Sequence, residues 1–298
     1  MAVSRKRNKN SKPELKRKKH WFQLKHIKNN HPTVEYENEY YTGKKWCLNQ
    51  DMEEFYIRSR DNLRLHAYYL PARKPKRTLI LCHGYKGSGF GDFAYISSFL
   101  HDNNCNLLFI DERCCGKSDG HYITFGAKEK EDIALWAKFV NKKISSTLPL
   151  YLYGESMGAA SVLMATGLSL PSNTKGIISD CGFTDMKNQF RTMAADWFHL
   201  KRINIILFNL DILCRALAHF KMNDANTKKA LKTNGLPILF FHGMKDTYVS
   251  YKNSIKNYEM CKAKKELVLI PKARHLCCAY ADKELYRNKL LAFFKKYD

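Results

Sequence analysis

The chain of 298 residues reads as an α/β protein, a mostly parallel central sheet flanked by helices with a small helical segment inserted between two late strands. Three observations predict this. Short apolar runs alternate with segments of helical spacing, as in a sheet covered on both faces. The runs end abruptly in loops rich in glycine and polar residues. Residues 182–235, lying between two such runs, carry amphipathic helical spacing and no strand signal.

Taken in order, residues 1–50 are a basic, partly disordered arm: 1 to about 20 read as disorder, and 21–50 as irregular and aromatic-rich, with Trp21, Phe22, Tyr36, Tyr40, Tyr41 and Trp46. The globular domain is 51–298. Residues 54–59 and 63–69 alternate about Asp61-Asn62, a hairpin turn. Residues 78–82 and 106–111 are short apolar strands, and Asp92 is placed to cap a helix running to Leu100. Helical spacing over 127–143 sets Ile133, Trp136, Ala137 and Val140 on one face. Strands follow at 148–153, 175–180, 237–241 and 266–270, and helices at 157–167, 250–261 and 281–297. The 182–235 segment is inserted beyond the carboxyl ends of the strands, where ligands bind in open α/β sheets, so it reads as a cap.

Composition bounds the partners. Apolar residues make up 45% and aromatics 13% of the chain, as in a globular protein. The longest apolar approach, 203–220, is interrupted by Asn204, Asn209, Asp211 and Arg215, and reads as an amphipathic helix rather than a membrane span. The net charge is +23, and residues 1–28 concentrate it, with eleven Lys/Arg against Glu14 alone. Such an arm reads first as a solvated, largely disordered tail, with peripheral contact with an anionic membrane or with nucleic acid as the alternative. No nucleic-acid-binding motif accompanies it. The ten cysteines include the adjacent pairs Cys114-Cys115 and Cys277-Cys278 but no Cys-x-x-Cys, which argues against a disulfide frame or a metal site. With no secretory signal, a reducing cytoplasm is expected, with peripheral contact at the inner membrane surface. Gly116-Lys117-Ser118 is not a phosphate loop, because Asp111 stands where the earlier glycine is needed.

The chemistry centres on Gly154-Glu155-Ser156-Met157-Gly158. An apolar strand runs into it and the small residues Ala159 and Ala160 follow, the pattern of a sharp strand-to-helix turn with a serine at its apex. A serine nucleophile needs a base, and the base an orienting acid. His275 follows the strand at 266–270, and Asp246 follows the one at 237–241, so both project from the same rim as Ser156. Asp180, also at a strand end, is the alternative acid. His242 and His83 each precede a glycine at a strand end and suit structural hydrogen bonds. Acyl transfer also needs oxyanion donors, for which the backbone N–H groups of Met157 and Tyr85 are placed. Phe183, Trp197, Phe198, Leu207 and Phe208 of the insertion are the candidate lining of an apolar acyl pocket, with simple packing as the alternative.

These segments resemble the α/β-hydrolase superfamily and, within it, the bacterial serine-aminopeptidase-like or BEM46-like hydrolases. The resemblance is carried by Leu81-Cys82-His83-Gly84-Tyr85, Asp111-Glu112-Arg113 through Gly116-Lys117-Ser118-Asp119-Gly120, the serine pentapeptide, Asp180-Cys181-Gly182-Phe183 and Phe241-His242-Gly243-Met244-Lys245-Asp246. It spans roughly 52–297. It implies Ser156 as nucleophile, Asp246 as acid and His275 as base, with no cofactor. Two departures are Cys114-Cys115, where a glycine and a variable residue are usual, and Lys272-Ala273-Arg274 before the histidine, which adds positive charge. The expectation is therefore a serine hydrolase acting on small-molecule carboxylic esters with an apolar acyl part. Alternatives are a serine aminopeptidase, a thioesterase or lysophospholipase, and, outside enzymes, a hydrolase-fold binding protein.

Overall fold

The computed structural model describes residues 3–4, 33–200 and 202–298, so the arm at 1–28 lies outside the described residues apart from Val3 and Ser4. The strands are β1 (Val3–Ser4), β2 (Glu53–Arg58), β3 (Arg64–Leu70), β4 (Arg77–Cys82), β5 (Cys105–Asp111), β6 (Leu150–Glu155), β7 (Thr174–Asp180), β8 (Ile238–Gly243) and β9 (Lys265–Ile270). They form one sheet in the order β1-β2-β3-β5-β4-β6-β7-β8-β9. The pairings from β5 to β9 are parallel, and β1, β2 and β3 join antiparallel at one edge. The chain leaves β4 toward β5 on one side and returns to β6 on the other. The strand order therefore reverses between β4 and β6, and their carboxyl ends open the crevice in which such sheets bind ligands.

The helices are α1 (Glu37–Leu48), α2 (Gly89–Asp92), α3 (Ala94–Asp102), α4 (Glu129–Lys143), α5 (Met157–Ala165), α6 (Met186–Phe198), α7 (Asn204–Ala218), α8 (Lys228–Thr233), α9 (Lys252–Met260), α10 (Cys278–Ala281) and α11 (Lys283–Tyr297). Side-chain alternation along the central strands explains two separate cores. Leu79, Leu81, Tyr151 and Tyr153 point to a face covered by α1, α3 and α11. Ile80, Cys82, Leu150 and Leu152 point to the other, covered by α4 and α5. Strands buried on both sides read as unbroken apolar runs, and β4, β5 and β6 are buried at every residue.

Two expectations change. Instead of irregular chain, residues 37–48 form helix α1, packed on α3. Its mid-helix glycine, Gly43, is the contact: a Cβ there would lie 2.2 Å from the carbonyl oxygen of Ala94. Asp92 does not cap a helix. Ser88 does, accepting the Gly91 amide, while the Asp92 carboxylate takes the Gly84 amide at 2.6 Å and fixes the loop after β4.

Between β7 and β8 lie α6, α7, a 3-10 turn at Met222–Asp224 and α8. The segment is pinched at its base, where the Met186 amide donates to Ala225 O and that of Thr227 to Thr184 O. Above the base, Met186, Ile203, Leu207, Ala218, Phe220 and Met222 form a small apolar cluster. Leu231 of α8 instead joins the second sheet core.

Candidate active site

The turn from β6 into α5 holds Ser156 at φ 53°, ψ −112°, a conformation L residues rarely adopt. Gly154 and Gly158 allow it. A Cβ on Gly154 would lie 2.3 Å from Gly158 O, and one on Gly158 2.0 Å from Cys82 O, so strand and helix touch backbone to backbone. The hydroxyl is thereby held clear of the sheet.

Asp246 and His275 extend from the loops after β8 and β9 and meet Ser156. His275 Nδ1 lies 2.6 Å from Asp246 Oδ2, and Nε2 lies 3.0 Å from Ser156 Oγ. A carboxylate accepts only, so Nδ1 carries the proton and Nε2 faces the hydroxyl as acceptor. The other carboxylate oxygen of Asp246 accepts the amides of Tyr248 and Val249, both at 2.8 Å. Burial alone would raise the Asp246 pKa, but His275 and His242 outweigh it and hold the carboxyl below the usual range. Burial of His275 disfavours its charge, yet the Asp246 carboxylate prevails and raises its pKa above the ordinary value.

Asp180, the alternative acid, is directed elsewhere. Its carboxylate accepts the hydroxyl of Tyr286 at 2.9 Å, deep under the site, and burial raises its pKa. His242 and His83 make the structural contacts expected of them. His242 Nδ1 meets Ser254 Oγ at 2.6 Å and Nε2 meets Val249 O at 2.8 Å, with Asp246 Oδ2 at 3.2 Å. His83 Nε2 accepts the Glu112 amide at 3.1 Å. Met157 opens α5, so its amide sits at the positive end of the helix dipole. Among the described residues no hydrogen bond engages the Met157 or Tyr85 amide.

The five insertion residues separate. Phe183 is buried against Met157, Ala160, Met164 and Val249, beside the serine. Trp197 packs edge-on against Tyr248, whose ring stacks on His275 with centroids 5.3 Å apart. Leu207 packs inside the insertion, while Phe198 and Phe208 are 67% and 66% exposed and line no enclosed pocket. Tyr248 went unnoticed in the sequence. Its position two residues after the acid was the available signal.

None of the ten cysteines is joined in a disulfide. The Cys114-Cys115 loop folds around Asp111, whose carboxylate accepts the Lys117 amide, and burial pushes the two thiols up to about 11 and about 12. Arg274 is paired with Glu35 at 3.1 Å, so its charge is shared with the segment before α1. Cys181, Asp246 and His275 offer ligand atoms within 4.8 Å of one another, a donor set small enough for a metal ion. The Asp246 and His275 atoms are already bonded to each other, and burial raises the Cys181 thiol well above its ordinary value, which disfavours the thiolate a metal needs.

Other proteins share this fold. The *Pyrococcus furiosus* esterase Pf2001 superposes with a TM-score of 0.68 at 20% identity, over 85% of this chain and 95% of that one. The *Bacillus subtilis* protein YqkD is 23% identical over 80% of this chain and 78% of its own length. Protein bem46 of *Schizosaccharomyces pombe* is 25% identical over 76% and 72%. A family model for serine aminopeptidases, S33, matches residues 73–224. The chain belongs to that S33 serine aminopeptidase family and has the α/β-hydrolase fold.

Proposed function

We propose that the protein is a serine hydrolase that cleaves carboxylic esters through an acyl-enzyme. The observation that carries this is the unbroken hydrogen-bonded line from Ser156 Oγ through His275 to Asp246, with the serine in a strained turn. In this reading His275 Nε2 takes the hydroxyl proton as Ser156 Oγ attacks the ester carbonyl carbon. The Met157 and Tyr85 amides donate to the oxyanion. Collapse expels the alkoxide, which takes the proton from His275. The same histidine then deprotonates water, which releases the acid and restores Ser156. Phe183 and Trp197 lie where an apolar acyl chain would reach, and the *Pyrococcus* neighbour bears the name esterase.

The peptidase reading needs free acids to bind a substrate ammonium. The insertion's acids are mostly committed: Asp185 caps α6, Asp211 pairs with Arg215 and Asp224 accepts the Lys221 amide. Ester cleavage is favoured for that reason. The test is hydrolysis of a short p-nitrophenyl ester together with labelling by a fluorophosphonate. Wild type should do both and Ser156→Ala neither; a fully active Ser156→Ala enzyme would overturn the assignment.

A further inference from the structure

Helix α7 is apolar on the wrong side. Leu207, Asp211 and Ala218 turn inward, as an amphipathic surface helix requires. The opposite face presents Ile205, Ile206, Phe208, Ile212, Leu213 and Leu217, from 48% to 78% exposed, with the exposed Asn209 among them. Trp197, Phe198 and Leu200, at and just past the end of α6, are exposed as well. So many large apolar side chains left bare on one insertion mark a docking surface.

We propose that this face docks on an anionic lipid surface, with α7 lying in the headgroup layer. The charges around it select that partner. Arg191, Arg202 and Lys221 are exposed near the patch, and Lys187 and Arg191 line an open cleft of about 310 Å³ that reaches Phe208. Asp211, which also lines the cleft, is neutralised by Arg215 at 2.6 Å, leaving Asp196 and Asp224 as the insertion's exposed acids, outnumbered by its exposed Lys and Arg. Apolar side chains entering the acyl boundary beneath a basic rim are the design of interfacial helices. A second copy would set basic rim against basic rim in a chain of net charge +23, whereas an anionic bilayer attracts it. Among the described residues no helix is long and apolar enough to cross a membrane, so the geometry is that of a helix lying on the surface. The docking does not depend on the ester reading.

The basic arm at 1–28 can also attract vesicles, so the test reads depth at Trp197. Full-length protein carrying Trp21→Phe is mixed with vesicles of phosphatidylcholine and phosphatidylglycerol whose acyl chains are brominated. Quenching of Trp197 fluorescence is expected, absent in Trp197→Phe and weak with phosphatidylcholine alone. Ile205→Asp with Leu213→Asp should weaken vesicle partitioning by about tenfold or more, with circular dichroism and the unfolding temperature unchanged. The unsubstituted-patch protein keeps the test decisive should that variant unfold, because quenching needs no change in α7. Vesicle-bound protein with unquenched Trp197 overturns the proposal. So does a patch-dependent dimer seen by light scattering with no lipid contact.

Discussion

Replacing Asp246 by asparagine tests the proposed mechanism at one atom. The two amides of Tyr248 and Val249 aim at Asp246 Oδ1, each at 2.8 Å, and so fix which end of an asparagine carries the oxygen. Its NH₂ then takes the place of Oδ2, 2.6 Å from His275 Nδ1. Two donors cannot face each other at that distance, so His275 moves its proton to Nε2. That nitrogen then points a hydrogen at Ser156 and cannot accept one. The expected loss in kcat is about 10⁴-fold, or about 5 kcal/mol of transition-state stabilisation. The pH profile gives a second reading. Asp246 raises the His275 pKa, so wild-type kcat/KM should climb with pH through a limb above 6.5, and the limb should move to lower pH in Asp246→Asn. Stability follows the other sign: the depressed Asp246 carboxyl stabilises the fold above its unfolded value of 3.8, and this is lost as pH falls toward the folded value. Hydrolysis of p-nitrophenyl acetate by stopped flow, with circular dichroism to verify folding, decides the matter. A folded Asp246→Asn enzyme retaining more than about a tenth of wild-type kcat/KM would refute the reasoning, given the penalty expected of the wrong tautomer.

Other predictions follow from the same geometry. Gly158→Ala sets a methyl 2.0 Å from Cys82 O and should cost about 1–3 kcal/mol or more, seen as a lowered thermal midpoint; an unchanged midpoint would contradict the backbone contact. Tyr248→Ala removes the ring stacked on His275 but keeps the amide that holds Asp246, so kcat/KM should fall about three- to tenfold with little change in fold. Tyr85→Ala keeps the proposed oxyanion donor, a backbone N–H, and should change kcat by less than about tenfold, far from the loss of a whole donor; a drop as deep as that of Ser156→Ala would remove Tyr85 from this backbone role.

The residues of the site were legible because each ends an apolar strand. Ser156, Asp246 and His275 follow β6, β8 and β9, and a parallel sheet brings the carboxyl ends of its strands to one rim. Strand context was what the sequence carried, and the distances of 2.6 and 3.0 Å follow from it. The sequence named Asp246 as the acid with Asp180 as the alternative, since both end strands. What it could not show is that Tyr286, 106 positions along the chain from Asp180, donates to that carboxylate from beneath. Tyr248 was missed because its one signal, a place two residues after the acid, does not announce a ring stacked on a histidine from another loop.

Helix α1 and the insertion show what local reasoning leaves out. Gly43, among Tyr40, Tyr41 and Thr42, reads as a helix breaker, because glycine costs about 1 kcal/mol in a helix interior. In the fold the missing side chain is what lets α1 approach α3, so tertiary packing outweighs the local penalty. In the insertion, Asn204, Asn209, Asp211 and Arg215 marked 203–220 as an amphipathic helix rather than a membrane span, and the structure has a helix over Asn204–Ala218. Asp211 is buried, accepting the Met222 amide at 2.7 Å and pairing with Arg215. Asn204, Asn209 and Arg215 stay exposed, beside the exposed isoleucine, leucine and phenylalanine side chains. Counting polar residues could not reveal how much apolar surface the outer face keeps, because that depends on which way Asp211 turns and on what the fold packs against α7.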